Sequence, residues 1–275
     1  MANNQYCKTS SCGNGRRHTM KFPKLQGIRS TQKHVIYFSC DSLYYQEHGI
    51  PLIKSIVNTI SWIGVHVHLV LYKPPTELFH HKRVSYTYET ISDDFINSIV
   101  LATDNGKLNT NKELLKTDNE YKIKEIIYFS CARFLKLAEL FQKNQFVLQI
   151  DADAILFNEF SLEEFKEVTI KPRGMRKPKD PNTLIASCIS LGTGDAGEHF
   201  KHTFSSLLQD AFSKGAYWYI DQEMLRNAFY NIEFETINTR WCNWGLKKTD
   251  YFSTGKGSKK THPRFVERVS VWKDI

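Results

Sequence analysis

Phe146-Val-Leu-Gln-Ile150 runs straight into Asp151-Ala-Asp153. The first five residues are short and mostly apolar, which reads as a buried strand. Two carboxylates then sit at positions i and i+2. In an extended segment those positions point to the same side. At a strand end the pair can converge on one hard cation. Mg²⁺ or Mn²⁺ favours such oxygen ligands and keeps positions open for substrate phosphates. Strand carboxyl ends are also where open α/β sheets bind ligands. A lone Asp-x-Asp is common, and a strand end with two solvated acids is the plain alternative. The apolar run before it favours a metal, because adjacent carboxylates leaving a core repel unless a cation neutralises them.

Upstream, His34-Val-Ile-Tyr-Phe-Ser-Cys40 is another buried strand, ended by Asp41. Pro51 to Ile60 is a helix with proline in its first turn, and Leu52, Ile53, Ile56, Val57 and Ile60 share one face. Val65 to Leu71 is the next strand, with His66 and His68 on one face. No third ligand lies nearby, so core or solvent-facing histidines are expected there rather than a metal. A short strand is expected over Arg83–Tyr88, and a helix from Asn119 to Gln142. Downstream come a basic loop over 171–182, a strand from Leu184 to Leu191, a helix over Glu198–Ser213, and a last helix from Asp221-Gln222 to Phe229. Strands alternating with helices predict an α/β fold, a mostly parallel central sheet flanked by helices.

The chain has 275 residues and a net charge of +8. That length suits one large domain, expected over 34–275, after a basic flexible arm over 1–33. Six cysteines show no dense disulfide spacing, and Cys7, Cys12 and His18 match no zinc template. No apolar run reaches membrane-spanning length, and the N-terminus lacks the apolar stretch of a leader. The expectation is a cytoplasmic protein, with basic residues available for peripheral contact with a membrane surface.

Three further features carry chemistry. Gly255-Lys-Gly-Ser-Lys-Lys260 combines close-approach glycines with Lys256, Lys259 and Lys260, a phosphate cradle although not a P-loop. A solvated basic tail is the bland account. Arg133 lies in the helix before the Asp-x-Asp strand, where a salt bridge to Glu139 or an exposed position is the bland account. Asp221 and Gln222 open the last helix, a place for an N-cap that is compatible with a catalytic role.

Together these residues resemble glycosyltransferase family 8 over roughly residues 34–262. The resemblance implies a GT-A fold, with Asp41 contacting the uracil edge and Tyr44 stacking near the base. Ser55 lies in a helix resembling the family's next segment. Arg133 would hold the donor sugar and phosphate, and Asp151 and Asp153 the metal. Ser187, within Ile185-Ala-Ser-Cys-Ile189, would line the donor sugar. Tyr219-Ile-Asp-Gln-Glu-Met-Leu225 resembles the family's Asp-Gln motif. There Asp221 binds sugar hydroxyls or the acceptor, and Gln222 lies beside the anomeric carbon. The closing His-x-x-Gly-x-x-Lys-Pro-Trp signature is altered: Gly257 and Lys260 keep their spacing, but Thr254 stands at the histidine and Thr261-His262 at Pro-Trp. Water or His262 is left for the third ligand position.

The resemblance implies Mn²⁺ (or Mg²⁺) as cofactor and a UDP-sugar as hexose donor. The acceptor would be a hydroxyl on a carbohydrate, a lipid-linked glycan or a protein. It implies retention of configuration, with Asp221 as the base of an inverting route in competition. A metal-dependent nucleic-acid-binding or nuclease-type protein is the rival from another class, supported by the charge and the basic tail. No second acidic cluster suits a two-metal site and no nucleic-acid motif is present, so no nucleic acid is expected as partner.

Overall fold

The computed structural model describes residues 20–73, 77–103, 116–172, 184–230, 232–237, 240–242, 246–255 and 260–273. Eight strands form the central sheet: β1 (Leu25–Gly27), β2 (His34–Cys40), β3 (Gly64–Leu71), β4 (Val84–Thr90), β5 (Phe146–Ile150), β7 (Val168–Pro172), β8 (Leu184–Leu191) and β9 (Glu235–Thr236). Their order is β1-β4-β3-β2-β5-β8-β7-β9. The block β4-β3-β2-β5 is parallel, whereas β8 runs antiparallel to both β5 and β7. A separate ribbon pairs β6 (Ala154–Leu156) with β10 (Phe252–Thr254) in antiparallel fashion.

Side chains alternate across the sheet and feed two cores. Val35, Tyr37 and Val147 face one of them, packed by α4 (Glu120–Leu135), α5 (Leu137–Leu140), α6 (Asp195–Lys214) and α7 (Ile220–Phe229). Ile36, Phe38, Leu148 and Ile150 face the other, covered by α2 (Ile50–Thr59) and the ribbon. On α2, Leu52, Ile53 and Ile56 are fully buried, each such side chain stabilising by about 1.5–3 kcal/mol. Ahead of α2 stand one turn, α1 (Ser42–Tyr44), and a π-turn over Tyr45–Gly49. The short α3 (Asp93–Ser98) is capped by Ser92, whose hydroxyl accepts from the Phe95 amide. The C-terminal α8 (Pro263–Lys273) packs on α2, with Phe265 and Val269 buried against Ile155 and Leu246. Among the described residues no helix is long and apolar enough to cross a membrane.

The expected strands stand within two residues of their sequence limits. The helix expected over Asn119–Gln142 is broken at Lys136, which sits at φ −120°, ψ 10°. The helix expected from Glu198 begins at Asp195, with Gly194 at the cap position and its amide donating to the Glu167 carboxylate. Of the arm expected over 1–33, residues 20–33 are described: β1 pairs with β4, and Met20, Phe22 and Leu25 pack on the core. Residues 1–19 and 173–183 lie outside the described residues. His66 and His68 are core residues with no solvent exposure.

Candidate active site at the strand ends

The neighbouring parallel strands β2 and β5 end at Cys40 and Ile150, so Asp41 and Asp151 leave the sheet at the same end. Asp41 turns the chain. Its carboxylate accepts from the Tyr44 amide at 2.8 Å and caps α1. Burial pushes the Asp41 carboxyl upward, with a backbone hydrogen bond from Leu43 opposing. Tyr44 then projects towards Asp153, its hydroxyl donating to that carboxylate at 3.4 Å. The His48 ring meets the Tyr44 ring edge-on at 4.8 Å.

Arg133 comes from the last turns of α4. Tyr37, in β2, donates its hydroxyl to the Arg133 carbonyl at 3.0 Å and pins that turn to the sheet. The guanidinium bonds the Asp151 carboxylate and lies 3.7 Å from that of Asp221. It does not pair with Glu139 and is mostly buried, so neither bland account describes this arginine. Burial works against the charged guanidinium, yet Asp151 and Asp221 outweigh it and its pKa is raised. Burial raises the Asp221 carboxyl, with Arg133 opposing.

Asp221 is not the N-cap expected of it. The cap position is Tyr219, at φ 71°, and no side chain caps α7. A left-handed tyrosine is an uncommon conformation that must be held by its surroundings. Its effect is to start α7 early, so Asp221 falls inside the first turn, buried against Arg133. Gln222 donates its side-chain amide to Asp221 at 3.5 Å.

On the other side, Lys260 lies between β10 and α8. Its ammonium is 3.2 Å from the Asp153 carboxylate, donates to the Tyr44 hydroxyl, and sits 4.3 Å from the Tyr44 ring centroid. Burial lowers its pKa. The same segment is tied to the carboxylate pair through its backbone: the Gly255 amide donates to the Asp153 carbonyl at 3.1 Å. Thr254 pairs with Ala154 and is fully buried, and its hydroxyl has no hydrogen-bond partner among the described residues. Ser187 follows the same pattern: it is buried one residue beyond the Cys188–Ile150 pair, with an unpartnered hydroxyl. His262 is exposed, and its ring Nδ1 accepts from the Arg264 amide at 3.3 Å. Lys256 and Lys259 lie outside the described residues.

The fold therefore gathers Asp41, Tyr44, Arg133, Asp151, Asp153, Asp221, Gln222 and Lys260, from positions spread over most of the chain. Sequence reasoning missed how they join. Tyr44 and Lys260 meet at Asp153, Arg133 joins Asp151 to Asp221, and Tyr37 anchors Arg133. The even spacing of Tyr37 in β2, on the face opposite Phe38, was the available signal for the last. Among the described residues no group of three His, Cys, Asp or Glu side chains could by itself hold a metal. Asp151 and Asp153 supply hard oxygen donors of the kind such a cation takes, which would leave its remaining ligands to substrate and water.

No protein-family model matches the chain, and no curated protein matches it by sequence. Solved structures do match. A galactosyltransferase, LgtC, in complex with donor and acceptor sugar analogues, superposes with a TM-score of 0.54 at 14% identity, over 86% of this chain and 95% of LgtC. The chain has the GT-A fold. The glycosyltransferase GlyE of Streptococcus pneumoniae TIGR4 agrees, with a TM-score of 0.51 at 11% identity over 88% of this chain and 63% of GlyE. On a GT-A fold the β2 and β5 ends are where the sequence resemblance expects the nucleotide and metal residues, and here those ends carry Asp41 and Asp151.

Proposed function

We propose that the protein is a metal-dependent glycosyltransferase that moves a hexose from a UDP-sugar to a hydroxyl acceptor with retention of configuration. The observation that carries this reading is the Arg133 bridge between Asp151 and Asp221, with Asp153 and Lys260 beside it, at the strand ends of a GT-A fold. It brings a metal-type carboxylate pair, a buried cation and the Asp-Gln motif into one site.

Asp151 and Asp153 hold Mn²⁺ or Mg²⁺, which when bound neutralises diphosphate charge and improves the leaving group. Asp41 and Tyr44 hold the uridine end. Arg133 orients Asp151 and faces the sugar and phosphate, and Ser187 lines the sugar. Lys260, with Lys256 and Lys259, adds positive charge on the diphosphate side. Asp221 binds a sugar or acceptor hydroxyl, and Gln222 lies beside the anomeric carbon. Gln222 is no carboxylate nucleophile, so a front-side displacement, with the leaving phosphate taking the acceptor proton, accounts for retention. The acceptor is a carbohydrate, a lipid-linked glycan or a protein, met in the cytoplasm or at a membrane surface.

UDP release from a panel of UDP-sugars, with Mn²⁺ and with EDTA, tests the reading. Release that needs the metal supports it; undiminished release in EDTA overturns the metal role. Salt-sensitive DNA or RNA binding with no UDP release would transfer the case to a nucleic-acid protein. Proton NMR of fresh product decides stereochemistry, because a β-linkage from an α-donor ends the retaining claim.

A further inference from the structure

The two carboxylates of Asp151-Ala-Asp153 have unlike counter-ions. The partner of Asp151 is built into the fold: Arg133 rides on α4, its turn is held by Tyr37, and a second carboxylate, Asp221, holds it from the far side. A cationic partner of Asp153 comes from the tail between β10 and α8. Lys260 reaches Asp153 and Tyr44 with a side chain 29% exposed, against 17% for Arg133. An ammonium is a compact point charge on a flexible stem, whereas guanidinium is a fixed planar fork. Arg133 is therefore the more firmly held of the two cations, and Lys260 the more exposed one on the more flexible side chain.

The pairing leaves room for an exchange. Among the described residues, Arg133 pairs with Asp151 and Asp221, and Lys260 pairs with Asp153. A nucleoside diphosphate brings further negative charge into the same space. While Lys260 neutralises Asp153, it competes with any divalent cation for that carboxylate. Once a diphosphate is present, the ammonium has a better partner.

We propose that Lys260 is an exchangeable counter-ion: it occupies Asp153 in the nucleotide-free protein and passes to the diphosphate as Asp153 takes the divalent cation. The proposal rests on the metal and diphosphate reading above. It explains how two adjacent carboxylates remain together before substrate arrives. It also couples the two ligands, because whatever draws Lys260 off Asp153 favours the cation, and the reverse holds by linkage.

The test titrates Mn²⁺ into the nucleotide-free full chain, with free Mn²⁺ read by electron paramagnetic resonance. Wild type is compared with Lys260→Met and Lys260→Arg, all three checked for native thermal unfolding. Lys260→Met should bind Mn²⁺ about fivefold tighter, the worth of one lost competing ion pair. The same variant should bind UDP in the presence of Mn²⁺ about tenfold more weakly, having lost one charge-assisted phosphate contact. Lys260→Arg should stay near wild type in Mn²⁺ affinity. If Lys260→Met does not fold, Lys260→Gln carries the same expectations. Unchanged or weakened Mn²⁺ binding by the neutral variants overturns the exchange. If wild type still shows metal-dependent UDP release in that case, the transferase reading stands. Wild type that neither binds Mn²⁺ nor releases UDP overturns both.

Discussion

Two polar clusters are built on the same parallel strands and differ in where they stop. The first lies inside the sheet. His66 bonds Ser85 at 2.8 Å and Thr87 at 3.0 Å, His68 lies 3.2 Å from Glu89, and Tyr128 donates to Glu89. All of these except Ser85 are buried at 1% exposure or less. The second cluster lies beyond the strand ends: Arg133 with Asp151 and Asp221, and Lys260 with Asp153 and Tyr44. Both contain acids facing bases. The inner one is buried within the sheet. The outer one has partly exposed carboxylates and one cation on a tail. Buried charge alone therefore does not mark a site; its position relative to the strand ends does.

The sharpest way to break that contrast is to damage each cluster and read both stability and turnover. Asp153→Asn removes a charge at the outer cluster. It should lower metal-dependent turnover about a thousandfold while thermal unfolding stays near wild type. A collapsed fold would put Asp153 among the structural acids. His68→Leu removes the imidazole beside buried Glu89, which keeps the hydrogen bond from Tyr128. It should destabilise the chain by about 1–3 kcal/mol in urea unfolding, with UDP affinity unchanged in the protein that remains folded. A loss of UDP affinity larger than the loss of stability would make the inner cluster part of the site.

A pH experiment sharpens the inner cluster further. Burial, with His68 and Arg29 adding to it, lowers the His66 pKa from 6.5 to about 3. The folded chain thus keeps His66 neutral, while the unfolded chain takes up a proton below 6.5. This contribution to stability is complete above pH 6.5 and is lost as the pH falls from there towards about 3. At pH 5 the loss relative to pH 7 is about 2 kcal/mol. Urea unfolding of His66→Asn at the two pH values should show a drop smaller than wild type by that amount; an equal drop in both proteins would assign the acid sensitivity elsewhere. The smallest effect is expected where the clusters touch. Tyr37→Phe removes one hydrogen bond to the Arg133 carbonyl, worth about 1 kcal/mol of stability, and should raise KM for the donor more than it lowers kcat.

Much of the frame is legible along the chain because it is local. Apolar runs such as Val35–Phe38 and Val147–Leu148 are readable as strands, and the 3.6-residue spacing of Leu52, Ile53 and Ile56 as a helix face. Asp151-Ala-Asp153 is readable as a convergent pair because i and i+2 share a side in any extended segment. The three-residue β1 has no such pattern, since a strand that short shows no periodicity. The break at Lys136 is equally silent, because the apolar pattern continues on both sides of it.

The sequence by itself determined the strands, the main helices and the candidates at their ends, since each rests on neighbours a few residues away. Only the tertiary structure decided what each candidate meets. Arg133 chooses Asp151 and Asp221 over Glu139, and Lys260 reaches back across 216 residues to Tyr44. Asp221 becomes a buried partner rather than a cap because Tyr219 turns left-handed ahead of it. Charges pair by distance and burial in space, and neither quantity is written in the spacing of residues along a chain.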